Sequence, residues 1–341
     1  MSDVAPPRKG GWMKHVFGIV VTLLCVALIA SRVNGAELLD AIEHFYWPYL
    51  GLGIACLAAG YCLRVLRWSL MLRAAGALVH FRNCVAPFLG SIALNNVLPL
   101  RMGDLVRALV FPAAMGISRT TATSSLVMER LIDLMTLLCS LAIGLLAIRS
   151  AAIDPLLVQS AQTMAVLGGA ALTLCFLFSG RLASWLRSLP QAQKGSGRLA
   201  APLATGADLL QGFDAMSRPR VLSLTLLISM LVWVCESGLF YFVMLGCGVA
   251  ASAPAALLVM AIATLSTLVP SSPGYVGPFH LAAFTAVALV GGTTAQAGSY
   301  AVLVHLALWG ATTVAGALAV WSRPELFRAA RRAPSAAMPL N

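Results

Sequence analysis

Charged side chains are scarce. Asp, Glu, Lys and Arg make up 10% of the 341 residues, against about 25% in an ordinary soluble domain. Too little charge is present to solvate a globular surface, which excludes a soluble fold. Apolar residues reach 60%, so the bilayer must be the principal solvent. Acidic residues are rarer still, 12 against 23 basic ones for a formal net charge of +11. Between Glu236 and Arg323 no charge occurs at all. No two of the eight cysteines (Cys25, Cys56, Cys62, Cys84, Cys139, Cys175, Cys235, Cys247) form a CxxC. Free, buried thiols are therefore expected, with neither a metal site nor a disulfide framework. The sequence has no GxxxxGKS/T, no HExxH, no GxSxG and no GxGxxG between a strand and a helix. From these absences the chain is expected to need no cofactor or metal and not to be an enzyme. Its basic residues track membrane faces and are not interleaved with aromatics, so nucleic acid is not an expected partner.

What is present is a series of apolar runs. A helix needs about 20 residues at 1.5 Å each to cross roughly 30 Å of hydrocarbon. Six segments qualify, near residues 13–32, 46–66, 121–148, 156–179, 221–246 and 298–322. Arg8, Lys9 and Lys14 precede the first, which is read as an uncleaved helix. Basic residues crowd alternate connections: Arg64, Arg67, Arg73 and Arg82; then Arg181, Arg187, Lys194, Arg198, Arg218 and Arg220; then Arg323, Arg328, Arg331 and Arg332. The positive-inside rule places these, and hence both termini, in the cytoplasm. The opposite connections carry Arg32, Glu37, Asp40 and Glu43, then Arg149 and Asp154, then no charge around residues 246–252.

Two pairs of apolar stretches are too short to cross upright. Residues 83–98 and 105–116 flank Pro99-Leu-Arg-Met-Gly-Asp104, and residues 254–269 and 278–291 flank Pro270-Ser-Ser-Pro-Gly-Tyr-Val-Gly277. Non-helical backbone at membrane depth survives only where protein or a wet cavity satisfies it, so both read as re-entrant hairpins, with eight shorter tilted spans as the alternative. The expected fold is an all-α polytopic membrane protein ordered span, span, hairpin, span, twice over, as in an inverted repeat. Residues 1–12 and 323–341 read as cytoplasmic tails. Residues 13–322 read as the transmembrane domain, with halves 13–149 and 150–322. A long cytoplasmic loop covers 180–220, with a flexible point at Gly195-Ser-Gly197 and an interfacial helix near Leu199–Phe213.

Candidate binding residues concentrate at the breaks. The first holds Asn95, Asn96, Pro99, Arg101, Gly103, Asp104 and Arg107. Asp104 is placed to cap a half-helix beginning at Leu105, and Arg101 with Arg107 to form a fork for a phosphate at its positive end. The bland alternative is an interfacial turn whose arginines snorkel to headgroups. On the third span Glu129 and Asp133 share a face, and Arg130 reaches Asp133 at i, i+3. These three read either as a structural ion pair or as a substrate or proton site. Glu236 has no partner in its own span and needs one elsewhere, Arg130 or a polar group of a break. At the uncharged second break Pro270, Pro273, Gly274, Gly277 and Pro278 would bend the chain and expose backbone N–H groups at the start of a half-helix at Phe279, a small anion nest with Ser272 among its candidate residues. His280 there reads as a phosphate or proton ligand, or as a hydrogen-bonded structural histidine. His305 reads as a packing residue and Arg67-Trp68 as an interface anchor.

Leu63-Arg-Val-Leu-Arg-Trp68, Asn95-Asn-Val-Leu-Pro-Leu-Arg-Met-Gly-Asp-Leu-Val-Arg107, Met128-Glu-Arg-Leu-Ile-Asp133 and Pro270–Gly277 resemble, in order, the signatures of the flippase-like membrane region of lysylphosphatidylglycerol synthases and their stand-alone relatives. The likeness spans about residues 16–322. It implies movement of lipids, such as aminoacylated phosphatidylglycerol, across the bacterial cytoplasmic membrane. Where that family reads Pro-Gly-Gly-x-Gly followed by a glutamate, this chain has Tyr275 in place of the middle glycine and His280 where the acid is expected. Only a short basic tail follows Arg323, so synthase activity is not implied. Three functions stay open: translocation of a phospholipid or other phosphate-bearing lipid between leaflets, a membrane-embedded transferase on a lipid or polyprenyl phosphate, and a non-catalytic partner subunit.

Overall fold

The computed structural model describes residues 11–148, 155–189 and 200–332. All regular structure among them is helical. In chain order the helices are α1 (Gly11–Ala30), α2 (Gly35–Glu43), α3 (Trp47–Ala74), α4 (Phe81–Val97), α5 (Met102–Leu109), α6 (Phe111–Met115), α7 (Arg119–Ala147), α8 (Pro155–Ser188), α9 (Ala200–Met216), α10 (Pro219–Gly246), α11 (Ala253–Ser266), α12 (Pro278–Leu289), α13 (Thr294–Trp321) and α14 (Glu325–Arg332). Short 3-10 turns sit in the two breaks, at Pro99–Arg101 and Pro273–Tyr275. Five helices are long and apolar enough to span a membrane (α3, α7, α10, α13 and the Gln162–Ser188 part of α8), and the Gly18–Ala30 part of α1 with α2, bent by 83°, adds a sixth if the bent pair is counted as one span. The protein is therefore an all-α polytopic membrane protein.

Some boundaries differ from expectation, each for a local reason. The second span continues to Ala74, so Arg64 and Arg67 lie inside a helix and not in a cytoplasmic connection. α5 begins at Met102, because Arg101 takes the left-handed φ of 53° that starts it, and not at Leu105. α6 is set off by Pro112 and closed by Gly116 at φ 66°. The expected interfacial helix is α9, which buries Phe213 and Met216 against Met71, Met128 and Ile132. It is packed into the protein. The flexible point at 195–197, together with Arg149, Asp154, Lys194 and Arg198, lies outside the described residues. Of the cysteines, Cys25 and Cys84 are buried, while Cys62 is exposed, which corrects the expectation of uniform burial.

The two halves exchange partners. α3 and α10 run antiparallel: the Tyr46 N–H donates to the Gly246 carbonyl (3.1 Å) at one end, and Arg67 donates to Ser229 (2.8 Å) near the other. Small residues allow this close approach. A Cβ built on Gly60 would lie 3.2 Å from the Cys235 Cβ. α4 then packs on α13, and α11 on α7. The α7–α11 crossing sets Gly144 against Leu258, and the α4–α13 crossing sets Gly316 against Leu89. Because the hairpins follow opposite ends of an antiparallel pair, they enter from opposite faces, and their tips touch.

One consequence is directly measurable. A cysteine at Gly60 is expected to form an intramolecular disulfide with native Cys235 on mild oxidation, since its Cβ would lie 3.2 Å from that of Cys235, a few tenths of an ångström short of the about 3.5–4.5 Å usual in disulfides. Maleimide labelling should fall by two thiols per chain, and not at all in the Gly60→Cys/Cys235→Ser control. Full labelling of the single variant would contradict the antiparallel pairing.

Candidate functional site

Isolated charge cannot stay buried, since a group removed from water without a partner costs several kcal/mol or more. The buried arginines and carboxylates of the membrane region are accordingly joined. Arg64 and Arg67, one turn apart on α3, reach two other helices. Arg64 hydrogen-bonds Glu236 of α10 and lies 3.6 Å from Asp133 of α7. Arg67 is fully buried and binds Asp133 through two nitrogens, at 2.7 and 3.1 Å. One turn earlier on α7, Glu129 accepts from both terminal nitrogens of Arg107, at 2.8 and 3.3 Å. The Arg107 guanidinium also sits 4.6 Å from the centre of the Phe88 ring and 5.1 Å from that of Trp68. Arg130 donates to Asp104 at 2.8 Å. These pairs tie α3, α5, α7 and α10 into one frame.

Several expectations are corrected by this frame. Glu236 is partnered by Arg64, not by Arg130 or a break. Arg130 pairs with Asp104 across to α5, not with Asp133 within its own helix. Arg107 is enclosed by Glu129 and two aromatic rings, so it forms no fork with Arg101. Arg67 and Trp68 are not an interface anchor: both are fully buried, and the Trp68 indole donates to Ser125 at 3.0 Å. Asp104 does not cap its helix. Asn95 of α4 does so from outside, accepting the Asp104 N–H at 3.1 Å and donating to the Asp104 carboxylate at 3.0 Å.

The two breaks meet around Arg101. Its guanidinium crosses to the second break, donating to the Thr267 hydroxyl at 3.0 Å and lying 5.6 Å from the centre of the Tyr275 ring. Arg101 and Tyr275, at φ 53° and 59°, are the described non-glycine residues with positive φ. Such backbone costs about 1–3 kcal/mol per residue and clusters at functional sites. A cavity of about 130 Å³ opens on one side of this contact, lined by Asn95, Asn96, Arg101, Arg130, Glu236 and His305 among others. A second of about 200 Å³ opens against Leu98, Pro99 and residues 268–273. Asn95, Arg101, Thr267, Gly274 and Tyr275 line both.

The second break is held by its neighbours more than expected. Thr22 of α1 donates to the Val276 carbonyl and accepts the Ser272 N–H. The Tyr275 N–H goes to the Ser272 carbonyl. The Ser272 N–H of the expected anion nest is thus engaged, and Gly277 faces α1, with Thr22 Cα 2.9 Å from where its Cβ would lie. α12 does open at Pro278, one residue before the expected half-helix at Phe279. His280 and His305 lie against each other with ring centres 4.4 Å apart and ring planes tilted by 44°. His305, read from sequence as packing alone, lines the first cavity and donates its Nε2–H to the Gly274 carbonyl at 2.7 Å. Asn96 bonds Thr312 and Thr313 on α13, and its own carbonyl accepts from the Trp309 indole. Tyr61, Arg64, Thr267, Tyr275 and Trp309 went unnoticed as site residues. Arg64 stands 10 residues before the end of α3, about 15 Å along the axis, a depth that shows only once the helix is seen to run on to Ala74.

These features define an integral membrane protein whose interrupted helices meet at a half-open hollow with charged and amide side chains in its lining, beside a buried ion-pair frame. Residues 15–316 match the lysylphosphatidylglycerol synthase TM region, and the chain belongs to that family. It is a membrane protein of lipid-related kinship. Over 135 residues it is also 27% identical to the glycosyltransferase AglD of Haloferax volcanii, a match covering 38% of this chain and 21% of that protein. The chain thus spans about a fifth of the length of this curated relative. That similarity overturns the expectation of a non-enzyme drawn from missing motifs, since a relative carries an enzyme's name.

Proposed function

We propose that this protein carries a phosphate-bearing lipid between leaflets of the bacterial cytoplasmic membrane, with both termini in the cytoplasm and residues 13–322 acting as one transporting unit. The observation that supports this most is Arg101: a half-buried guanidinium where two half-open cavities adjoin, engaged by a hydroxyl and a ring but by no carboxylate among the described residues. A headgroup phosphate at that point exchanges water for charge-assisted hydrogen bonds. Its alkyl tails meanwhile stay in lipid, so the barrier to crossing falls. Asp104 and Asn95 orient the break, and Arg130 and Glu236 face the same hollow. A membrane potential supplies about 2.3 kcal/mol per charge moved per 100 mV.

Arg101→Ala in proteoliposomes is expected to slow transfer of a fluorescent phospholipid at least about tenfold, the value of one lost charge-assisted hydrogen bond. Quenching of outer-leaflet fluorescence with time reads it. Wild-type vesicles that protect no lipid of a broad panel would defeat the proposal. A second reading, a membrane transferase acting on a lipid phosphate, is favoured by the similarity to part of AglD. It predicts a new covalent mass when purified protein meets lipid and sugar donor.

A further inference from the structure

The interior charges of the frame do not cancel. Five guanidiniums, of Arg64, Arg67, Arg101, Arg107 and Arg130, face four carboxylates, of Asp104, Glu129, Asp133 and Glu236. Each carboxylate has a guanidinium within 4 Å. Counting the guanidiniums and carboxylates of the frame among the described residues, one positive charge is left over, and it resides on Arg101, where the two cavities join. Arg101 is half-buried, and where water is partly excluded a surplus charge attracts one counter-charge, whereas a neutral or cationic guest leaves it uncompensated.

Beside the polar cavity runs an apolar groove of about 490 Å³, between α3, α4 and α13. Ile54, Ala58, Val65, Val85, Leu89 and Ala315 are among its lining residues. Tyr61 and Thr312 line both groove and polar cavity, so the two adjoin. A guest with a charged head and a hydrocarbon tail can occupy both at once. A free phosphate fills only one.

We infer that the site selects a lipid of single net negative charge, its phosphodiester against Arg101 and a hydrocarbon chain along the groove between α3, α4 and α13. The inference deepens the lipid reading above and rests on it. Zwitterionic phosphatidylethanolamine leaves the Arg101 charge unbalanced, and a lysine-esterified phosphatidylglycerol adds to it.

The test is competition against chain-labelled fluorescent phosphatidylglycerol bound to the full-length protein in neutral detergent. Unlabelled phosphatidylglycerol should compete at least about tenfold better than phosphatidylethanolamine or lysyl-phosphatidylglycerol. Arg101→Gln should level that ranking and Arg101→Lys should keep it, which separates charge from folding. Ala58→Phe and Ala315→Phe should weaken competition by all lipids, and sn-glycerol 3-phosphate should compete poorly throughout. Equal competition by phosphatidylethanolamine, an unchanged ranking in a folded Arg101→Gln protein, or glycerol phosphate competing as well as the lipid would overturn the inference. Vesicle transfer is scored separately. Headgroup preference without transfer leaves this inference standing and removes translocation, whereas transfer without preference does the reverse.

Discussion

Asp133→Ala should destabilise the protein by about 3–5 kcal/mol, the cost of stranding a buried charge. Asp133 takes both terminal nitrogens of a fully buried Arg67 and lies 3.6 Å from Arg64. Its loss leaves two guanidiniums with one remaining carboxylate, Glu236, on the far side of Arg64. Thermal aggregation of purified protein in detergent measures the effect. Asp133→Asn should recover little, because it keeps the shape and not the charge. The double variant Arg67→Met/Asp133→Leu should recover much, because an apolar pair of similar volume leaves no charge without its counterpart. The Arg187–Asp208 pair serves as the contrast: both side chains are about half exposed, so Asp208→Ala should change stability by no more than about 1 kcal/mol. Equal melting of Asp133→Ala and wild type would show that the frame is not what holds α3, α7 and α10 together.

Gly103→Val should be comparably severe, about 3 kcal/mol or more, through overpacking in a place that cannot relax. A Cβ there would overlap the Ser91 carbonyl and lie 2.7 Å from the Asn95 side-chain oxygen and 2.8 Å from the Asn95 nitrogen. The obstacles are mostly backbone of α4, so no rotamer change clears them. The first hairpin would be prised open, Asn95 would lose its double contact with Asp104, and Arg130 would lose its anchor. Lower melting temperature and loss of lipid transfer should therefore appear together. Gly310→Ala is the control: no heavy atom comes within 4 Å of its built Cβ, and alanine gains about 1 kcal/mol of helix propensity. A Gly103→Val protein that melts and transports as wild type would mean that α4 and α5 are not in tight contact.

Much of this was legible along the chain. Apolar runs of sufficient length located the spans, and prolines with glycines located the two breaks, because neither feature depends on what packs nearby. The polar density from Asn95 to Arg107 marked the richer break. The partners of those residues were not legible. Arg64 and Arg67 read as the basic end of a short span, since the pattern cannot show that the helix runs on to Ala74. Glu236 called for a cation, yet Arg64 lies 172 residues away in sequence and meets it only because α3 and α10 run antiparallel. Arg107 looked as free as Arg101 until Glu129, Phe88 and Trp68 closed around it. Likewise His305 stood alone in its helix, and only the Gly274 carbonyl gave its ring a polar task.

By itself the sequence determined the solvent, the helical class and the positions of the two interruptions, because backbone polar groups in hydrocarbon must bond within their own segment whatever surrounds them. Tertiary structure alone decided which guanidinium stayed without a carboxylate. Pairing of buried ions is set by which helix faces meet, and with Arg67 and Arg107 drawn into the frame, the surplus charge came to rest on Arg101, where the hairpin tips touch.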